Sequence, residues 1–478
     1  MVGSRPHELN NKRPRKRTRK GDIAVGRFLP NVKNTKLFVC GSGDFGQLGM
    51  GPDNLSLTKF QEVKLKEDLT ITMVAAGGVH SLLLTDVGTV YSTGCNDDGP
   101  LGRQCLDENG VATDDDADFT FRPVEFNAED MQVHGKIVMV TAGDCHSAAL
   151  TEKGSVFVWG TFRGKDGEIG LMVDGASGEI MRKAIRPQLL MDHRTSMMVK
   201  ISSGSDHLAM LDHEGSIWTI GSVTVGQLGR QRVTADKERG GPRILTRLLT
   251  PAVVNELGKR PKTAKFFPLH FKDVFSTAYS VFGLSVDDEV LCWGLNNYFQ
   301  LGVQPTQSDR LFEPFPIYSE KLNADVQYKA FTGDQHILAL SATGFVYGIG
   351  RGLDGRLGLG RSMEAEKDAA KVGPFSTSPV CGVTAAGSCS FAWTEDGNAF
   401  AWGFNLGGLL GLAVEEEAVS VCFNGTTGHR FIQHSVDWFH FSQWLLGNGS
   451  MKACFEQLFI ERFYGCPLSA ADFLLISK

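Results

Sequence analysis

Four histidines recur in one local phrase, Gly-x-x-His followed by an apolar run: Gly77 to His80, Gly143 to His146, Gly204 to His207, and Gly333 to His336. Histidine moves protons near neutral pH and ligates metals, so these side chains are the first candidates for chemistry. Nucleophilic catalysis needs a serine or cysteine and an orienting third group around such an imidazole. No Ser-His-Asp or Cys-His arrangement stands out from the repeat. The ten cysteines are scattered, with no CxxC pair and no Cys/His spacing of a zinc site. No GxxxxGK[ST] loop is present to cradle nucleotide phosphates. The period itself explains the histidines as structural hydrogen-bonding residues between strands. Bond-breaking catalysis, a cofactor and a metal are therefore not expected.

Charge offers a different chemistry. Residues 12–20, KRPRKRTRK, hold seven basic side chains in nine positions: Lys12, Arg13, Arg15, Lys16, Arg17, Arg19 and Lys20. Setting those seven aside takes the formal net charge from −6 to −13, so an acidic body carries a basic tail. Such a run serves as a nuclear import signal read by an import receptor, as a phosphate-binding arm, or as both; a functionless solvated tail is the bland alternative. It has no apolar residue to fold around and is expected to be disordered alone. Residues 230–265 form a second basic stretch, with ten Lys/Arg against three acids. Arg239 and Arg243 flank its Gly240-Gly241-Pro242, and guanidinium groups on a flexible loop suit phosphates or a carboxylate cluster. A solvated insertion is the alternative there too.

The elements that hold these groups are written in a second phrase, a Gly followed by Leu-Gly or Ile-Gly. Seven copies begin at Gly41, Gly94, Gly160, Gly221, Gly294, Gly350 and Gly403, spaced 53, 66, 61, 73, 56 and 53 residues apart. A period of that size means stacked or circular copies of one small unit. Between the two phrases lie turns such as Glu152-Lys153-Gly154 and strands such as Val156–Trp159, the signals of hairpins. The units predict an all-β chain, a seven-bladed propeller, rather than a solenoid. A basic tail over 1–35, a propeller over 36–411 and a divergent segment over 412–478 are the expected divisions. No apolar run approaches membrane-spanning length, and the basic N-terminus has no apolar signal-peptide core; no membrane partner and no secretion are expected.

Six of the seven Gly-to-Leu gaps are seven positions long, and the third, Gly160 to Ile169, is nine. Its insert, Thr161 to Glu168, should protrude from its blade, and a protruding loop on a rigid scaffold is a natural probe for a partner. Length drift in a loop is the alternative.

These residues resemble the regulator of chromosome condensation family across about residues 36–411. Gly41-Ser-Gly-Asp-Phe-Gly-Gln-Leu-Gly49 looks like the family's first repeat and Gly94-Cys-Asn-Asp-Asp-Gly99 like its second. Trp159-Gly-Thr-Phe-Arg-Gly-Lys-Asp-Gly-Glu-Ile-Gly-Leu171 is similar to its β-wedge, and Arg239-Gly240-Gly241 through Arg247-Leu248-Leu249 to its chromatin-contacting loop. The resemblance implies a seven-bladed propeller that exchanges guanine nucleotide on the small GTPase Ran and works in the nucleus on chromatin, through histones and DNA phosphates. It implies that Phe162, Arg163, Lys165 and Asp166 form the wedge pressed on the GTPase. It further implies that Asp44, Asp144, Asp206 and His336 lie on the GTPase-facing surface. A propeller that scaffolds proteins on chromatin without exchange is the alternative.

One departure bears on closure. The chain enters its first unit at Lys36-Leu-Phe-Val-Cys40 without a preceding Gly-x-x-His pair, so a closed ring needs that pair from the C-terminal side. The nearest candidate clasp is Val419–Gly425 with His429, and imperfect closure is expected.

Overall fold

The computed structural model describes residues 23–28, 36–65, 69–105, 118–230, 242–254, 270–303, 308–317, 322, 327–373, 375, 378–395, 398–411, 418–426 and 445–447. Among these, the strands form six four-stranded antiparallel sheets, here blades A to F. Blade B, for example, runs from its inner strand Ile137–Ala142 through His146–Thr151 and Val156–Gly160 to the outer strand Ala184–Met191. The inner strands of the others are Ile71–Ala76 (A), Met198–Gly204 (C), Phe271–Ser276 (D), Tyr328–Gly333 (E) and Val380–Ala386 (F).

The expectation of seven blades is thereby corrected: among the described residues the all-β propeller has six. The first repeat contributes only Lys36–Ser42 and Ser56–Glu62, joined by the short strand Leu445–Gly447 in a three-stranded sheet. The strand of the candidate clasp is corrected as well, while its His429 lies outside the described residues. Ala418–Thr426 is the outer strand of blade F, paired with Asn398–Phe404.

The repeat phrases have physical causes. The second strand of every blade is buried at all six positions. Such a strand is covered on both faces by neighbouring blades, so it reads as a continuous apolar run rather than an alternation. In the phrase Leu-Gly, the leucines Leu101, Leu228 and Leu357 are fully buried. The glycines after them take a left-handed backbone, φ +67° at Gly102, +64° at Gly229 and +64° at Gly358. A Cβ at Gly229 would stand 2.6 Å from the Trp293 indole nitrogen. The same indole donates to the Gln227 carbonyl at 2.9 Å, while Trp159 donates to Pro100 at 2.7 Å and Trp402 to Arg356 at 2.9 Å. The phrase is thus a staple: one blade's loop is gripped by the next blade's tryptophan.

The Gly-x-x-His phrase works similarly. A Cβ at Gly77, Gly143 or Gly204 would lie 2.1–2.3 Å from the imidazole Cε1 of the histidine three residues on. The ring fills the space a side chain would take. One contiguous apolar core then runs through blades A to E, from Met73 and Leu82 to Ile337 and Ile349.

Candidate functional site

The nine-position insert folds as a two-stranded ribbon, Phe162–Gly164 against Gly167–Gly170, with Arg163 opposite Glu168 and Gly164 opposite Gly167. Lys165 and Asp166 form its exposed tip. The ribbon is anchored at three points. Phe162 is fully buried, its ring centroid 4.4 Å from that of His146. The Arg163 amide donates to Asp206 Oδ1 at 2.7 Å, and the Arg163 Nε lies 3.3 Å from Asp98 Oδ2. Thr161 Oγ1 donates to the Arg182 carbonyl at 2.8 Å. The wedge is therefore built across blades A, B and C. Asp98 was missed in the sequence, though it lies in the Gly94–Gly99 loop quoted for the second repeat.

The base of the wedge meets a rim of loops that join inner to second strands. Backbone amides tie these loops blade to blade. Gly78 donates to Gly143 at 3.2 Å, Asp144 to Ser205 at 2.7 Å, Ser205 to Ala278 at 2.9 Å and Ala278 to Gly333 at 3.1 Å. In antiparallel blades the loops after the third strands emerge at this same end, so Asp44, Asp98 and the wedge share the face.

Two carboxyls on this rim are unusual. Asp334 is 4% exposed, and Oδ1 of both Asp144 and Asp334 is buried without a hydrogen-bond partner. Burial pushes the Asp334 carboxyl up to about 7, against the opposing pull of Arg356 and Arg351. Burial also raises Asp144, and the charge of Asp334 raises it further. The pair resists carrying two negative charges at neutral pH. Asp334 was not singled out from the sequence. Its signal was its place in the phrase, since Gly333-Asp334 repeats Gly143-Asp144.

Several expected surface residues are placed differently. His336 does not face outward: it is fully buried, Nε2 2.8 Å from Ser390 Oγ, with its pKa held well below the usual value by desolvation. Phe162 anchors the wedge from beneath instead of touching a partner. Asp206 is half-buried and holds the wedge backbone, so it acts on the face through Arg163. Asp44 is exposed and accepts from Ser42 Oγ at 2.9 Å. His80 and His146 are structural hydrogen-bonding residues as expected, whereas the buried His207 ring has no hydrogen-bond partner on either nitrogen among the described residues. His80 Nε2 lies 2.8 Å from Ser147 Oγ, which donates onward to Pro100, and His146 Nε2 lies 3.0 Å from Ser203 Oγ. Burial lowers the pKa of His80 to about 3, so it is neutral at any ordinary pH.

Of the basic elements, Lys12, Arg13, Arg15, Lys16, Arg17, Arg19, Lys20 and Arg239 lie outside the described residues. Arg243 is exposed on the helix Pro242–Leu248, as is Arg247. The helix is pinned from below by Arg230. That buried guanidinium donates to the carbonyls of Arg247 at 3.3 Å and Thr250 at 3.1 Å, and to Thr219 Oγ1 at 3.0 Å. Arg230 therefore positions the basic segment and is not part of its charged surface.

Comparison with known proteins agrees with this architecture. An RCC1-like domain matches residues 36–436. The Regulator of chromosome condensation of Xenopus laevis is 37% identical over 410 residues, covering 84% of this chain and 88% of its own. The Homo sapiens protein of the same name is 37% identical over 387 residues, 80% of this chain and 82% of its own. The Saccharomyces cerevisiae guanine nucleotide exchange factor SRM1 is 29% identical over 425 residues, 82% of each chain. In fold, the crystal structure of Prp20p from Saccharomyces cerevisiae, described with its binding to Gsp1p and histones, superposes with a TM-score of 0.75. It is 24% identical and covers 92% of this chain and 98% of its own. With its repeat phrases, wedge and matched length together, this chain belongs to the regulator of chromosome condensation family.

Proposed function

We propose that this chain is a guanine-nucleotide exchange factor for the small GTPase Ran, held on chromatin. The observation that carries the reading is the ribbon Phe162–Gly170, fixed by Asp206 and Asp98 beside an acidic rim. A relative of 29% identity carries the name guanine nucleotide exchange factor, and the resemblance of the wedge to the family's own points the same way.

Exchange needs no covalent step. The factor and the nucleotide each weaken the other's binding to the GTPase by one coupling factor. The exposed tip, Lys165 and Asp166, with the Arg163 side chain behind it, presses on the phosphate-binding region. It favours a GTPase conformation that holds phosphate and magnesium poorly. The vacated region exposes the basic groups that held phosphate, and the Asp44 carboxylate faces them together with the Asp144 carboxyl, whose ionised form a facing positive charge favours. The rigid anchoring matters because a loose ribbon would yield before the GTPase does. Chromatin association is assigned to the tail residues 12–20 and to Arg239 and Arg243, which meet DNA phosphates and histone carboxylates, and nuclear entry to the tail through an import receptor.

The linkage has a direct test. Mixed with Ran stripped of nucleotide, the chain is expected to co-elute as a stable complex on size exclusion, which excess GDP or GTP dissociates. A folded chain that forms no complex, or one whose complex is indifferent to nucleotide, would leave the non-exchanging scaffold as the correct reading.

A further inference from the structure

At the end of blade B away from the wedge, three side chains that commonly ligate metals converge from separate segments. His134 is the last residue of the helix Ala128–His134, which leads into the inner strand. Asp192 and His193 follow the outer strand Ala184–Met191. One donor atom of each lies within 4.8 Å of the others. Between the imidazoles sits Ser155 Oγ, 2.9 Å from His134 Nδ1 and 2.8 Å from His193 Nδ1, also receiving the His193 amide at 3.0 Å. His193 Nδ1 is 3.6 Å from Asp192 Oδ1.

We propose that His134, His193 and Asp192 form a binding site for a divalent first-row transition ion of the zinc class, completed by water. Imidazole with carboxylate and no thiolate suits zinc, copper or nickel rather than calcium or magnesium. Ligands held at about 2.0–2.1 Å in a tetrahedron stand about 3.4 Å apart. The His193–Asp192 pair is already near that separation, and the remaining closure needs shifts of order 1 Å at turn residues. His134 is almost fully buried, held by the helix end and by Ser155. Ser155, with one hydroxyl proton for two imidazoles, donates to one and accepts from the other; the ion would replace this hydrogen-bonded link. Asp192 is the contested ligand, because Arg194 Nε reaches both its oxygens at 2.9 Å. Asp192 Oδ1 also accepts from the Arg194 amide at 2.9 Å. The ion would therefore displace Arg194 Nε from Oδ1 while the guanidinium keeps Oδ2, the two lone pairs of Oδ1 then serving the amide and the ion. An ion here would brace the entry of blade B against its outer edge. The sequence hid it because the ligands lie some 58 residues apart, outside any compact spacing.

The test uses the full chain, freed of metal by chelator and titrated with Co2+, then Zn2+. One equivalent of Co2+ is expected to give the visible absorption of a tetrahedral site, displaced by Zn2+. His193→Gln should weaken that binding at least about tenfold while far-ultraviolet circular dichroism stays unchanged. Arg194→Gln should tighten it by freeing Asp192 and removing a nearby positive charge. The cysteines and histidines elsewhere in the chain are controlled by the variants. A Co2+ titration that is absent in the wild type, or identical in the wild type and His193→Gln, overturns the assignment. The readout is independent of nucleotide exchange.

Discussion

Asp334→Asn reads the cost of the rim carboxyl, together with the relief of Asp144 that its charge raises. In the folded chain Asp334 is raised from 3.8 to about 7. A carboxyl raised on folding adds stability that is fully present below its unfolded value and is lost as pH rises through the folded one. Between about pH 4 and 7 the wild type should therefore lose stability, at about 1.4 kcal/mol per unit while Asp334 is ionised only in the unfolded state. The full window of roughly three units gives about 4 kcal/mol as an upper figure. Water reaching the rim lowers it, so about 2–4 kcal/mol is expected. Asparagine keeps the shape and does not titrate. Its stability relative to wild type should rise by that amount from about pH 4.5 to about pH 8, read as the difference in urea midpoints and slopes. The amide's own fit in the loop adds a constant that cancels between the two pH values. A difference between the proteins that stays the same at both pH values would refute the buried, unpaired carboxyl.

Other expectations follow from the same geometry. Gly229→Ala must hold φ +64° and meet the Trp293 indole at 2.6 Å, so thermal unfolding should show a loss of about 2–4 kcal/mol. Gly175→Ala, with open surroundings, should stay within about 0.5 kcal/mol. Ser147→Ala removes both the His80 contact and the bond to Pro100. It should cost about 1–3 kcal/mol, with strong coupling to His80→Ala in a double-mutant cycle. Deleting residues 1–20 removes eight Lys/Arg and one Glu, a net of seven positive charges. It should flatten the salt dependence of DNA binding by up to about 6 in the log–log slope, leaving nucleotide exchange nearly intact.

Much of the fold was legible because packing wrote it into the repeat. The Leu-Gly phrase needs a left-handed glycine under a tryptophan, and the Gly-x-x-His phrase needs a glycine to house its own imidazole. The blade count was misread because the seven Gly-to-Leu phrases mark third strands and their loops. The first and second strands are marked by the other phrase, which occurs six times with its two degenerate copies, at Thr277–Ser280 and Gly387–Ser390. Six such pairs give six four-stranded blades.

At the site, the wedge showed as a length anomaly, but its anchors did not. Asp98 and Asp206 come from loops of other blades, 65 residues before and 43 after Arg163, and only the ring arrangement brings them together. His336 was placed on the surface by the family resemblance, whereas its place in the phrase, shared with the buried His80 and His146, marked it as a structural residue. Its neighbour Asp334 holds the rim position.

The account rests on an anchored wedge that drives nucleotide release, and the rate of fluorescent GDP release from Ran tests it most directly. Catalytic amounts of wild type should accelerate release. Arg163→Ala should slow it by removing the side chain behind the tip, and Asp206→Ala by loosening the ribbon, both with unchanged thermal unfolding. A folded wild type that leaves release at its uncatalysed rate, or two variants as fast as wild type, would contradict it.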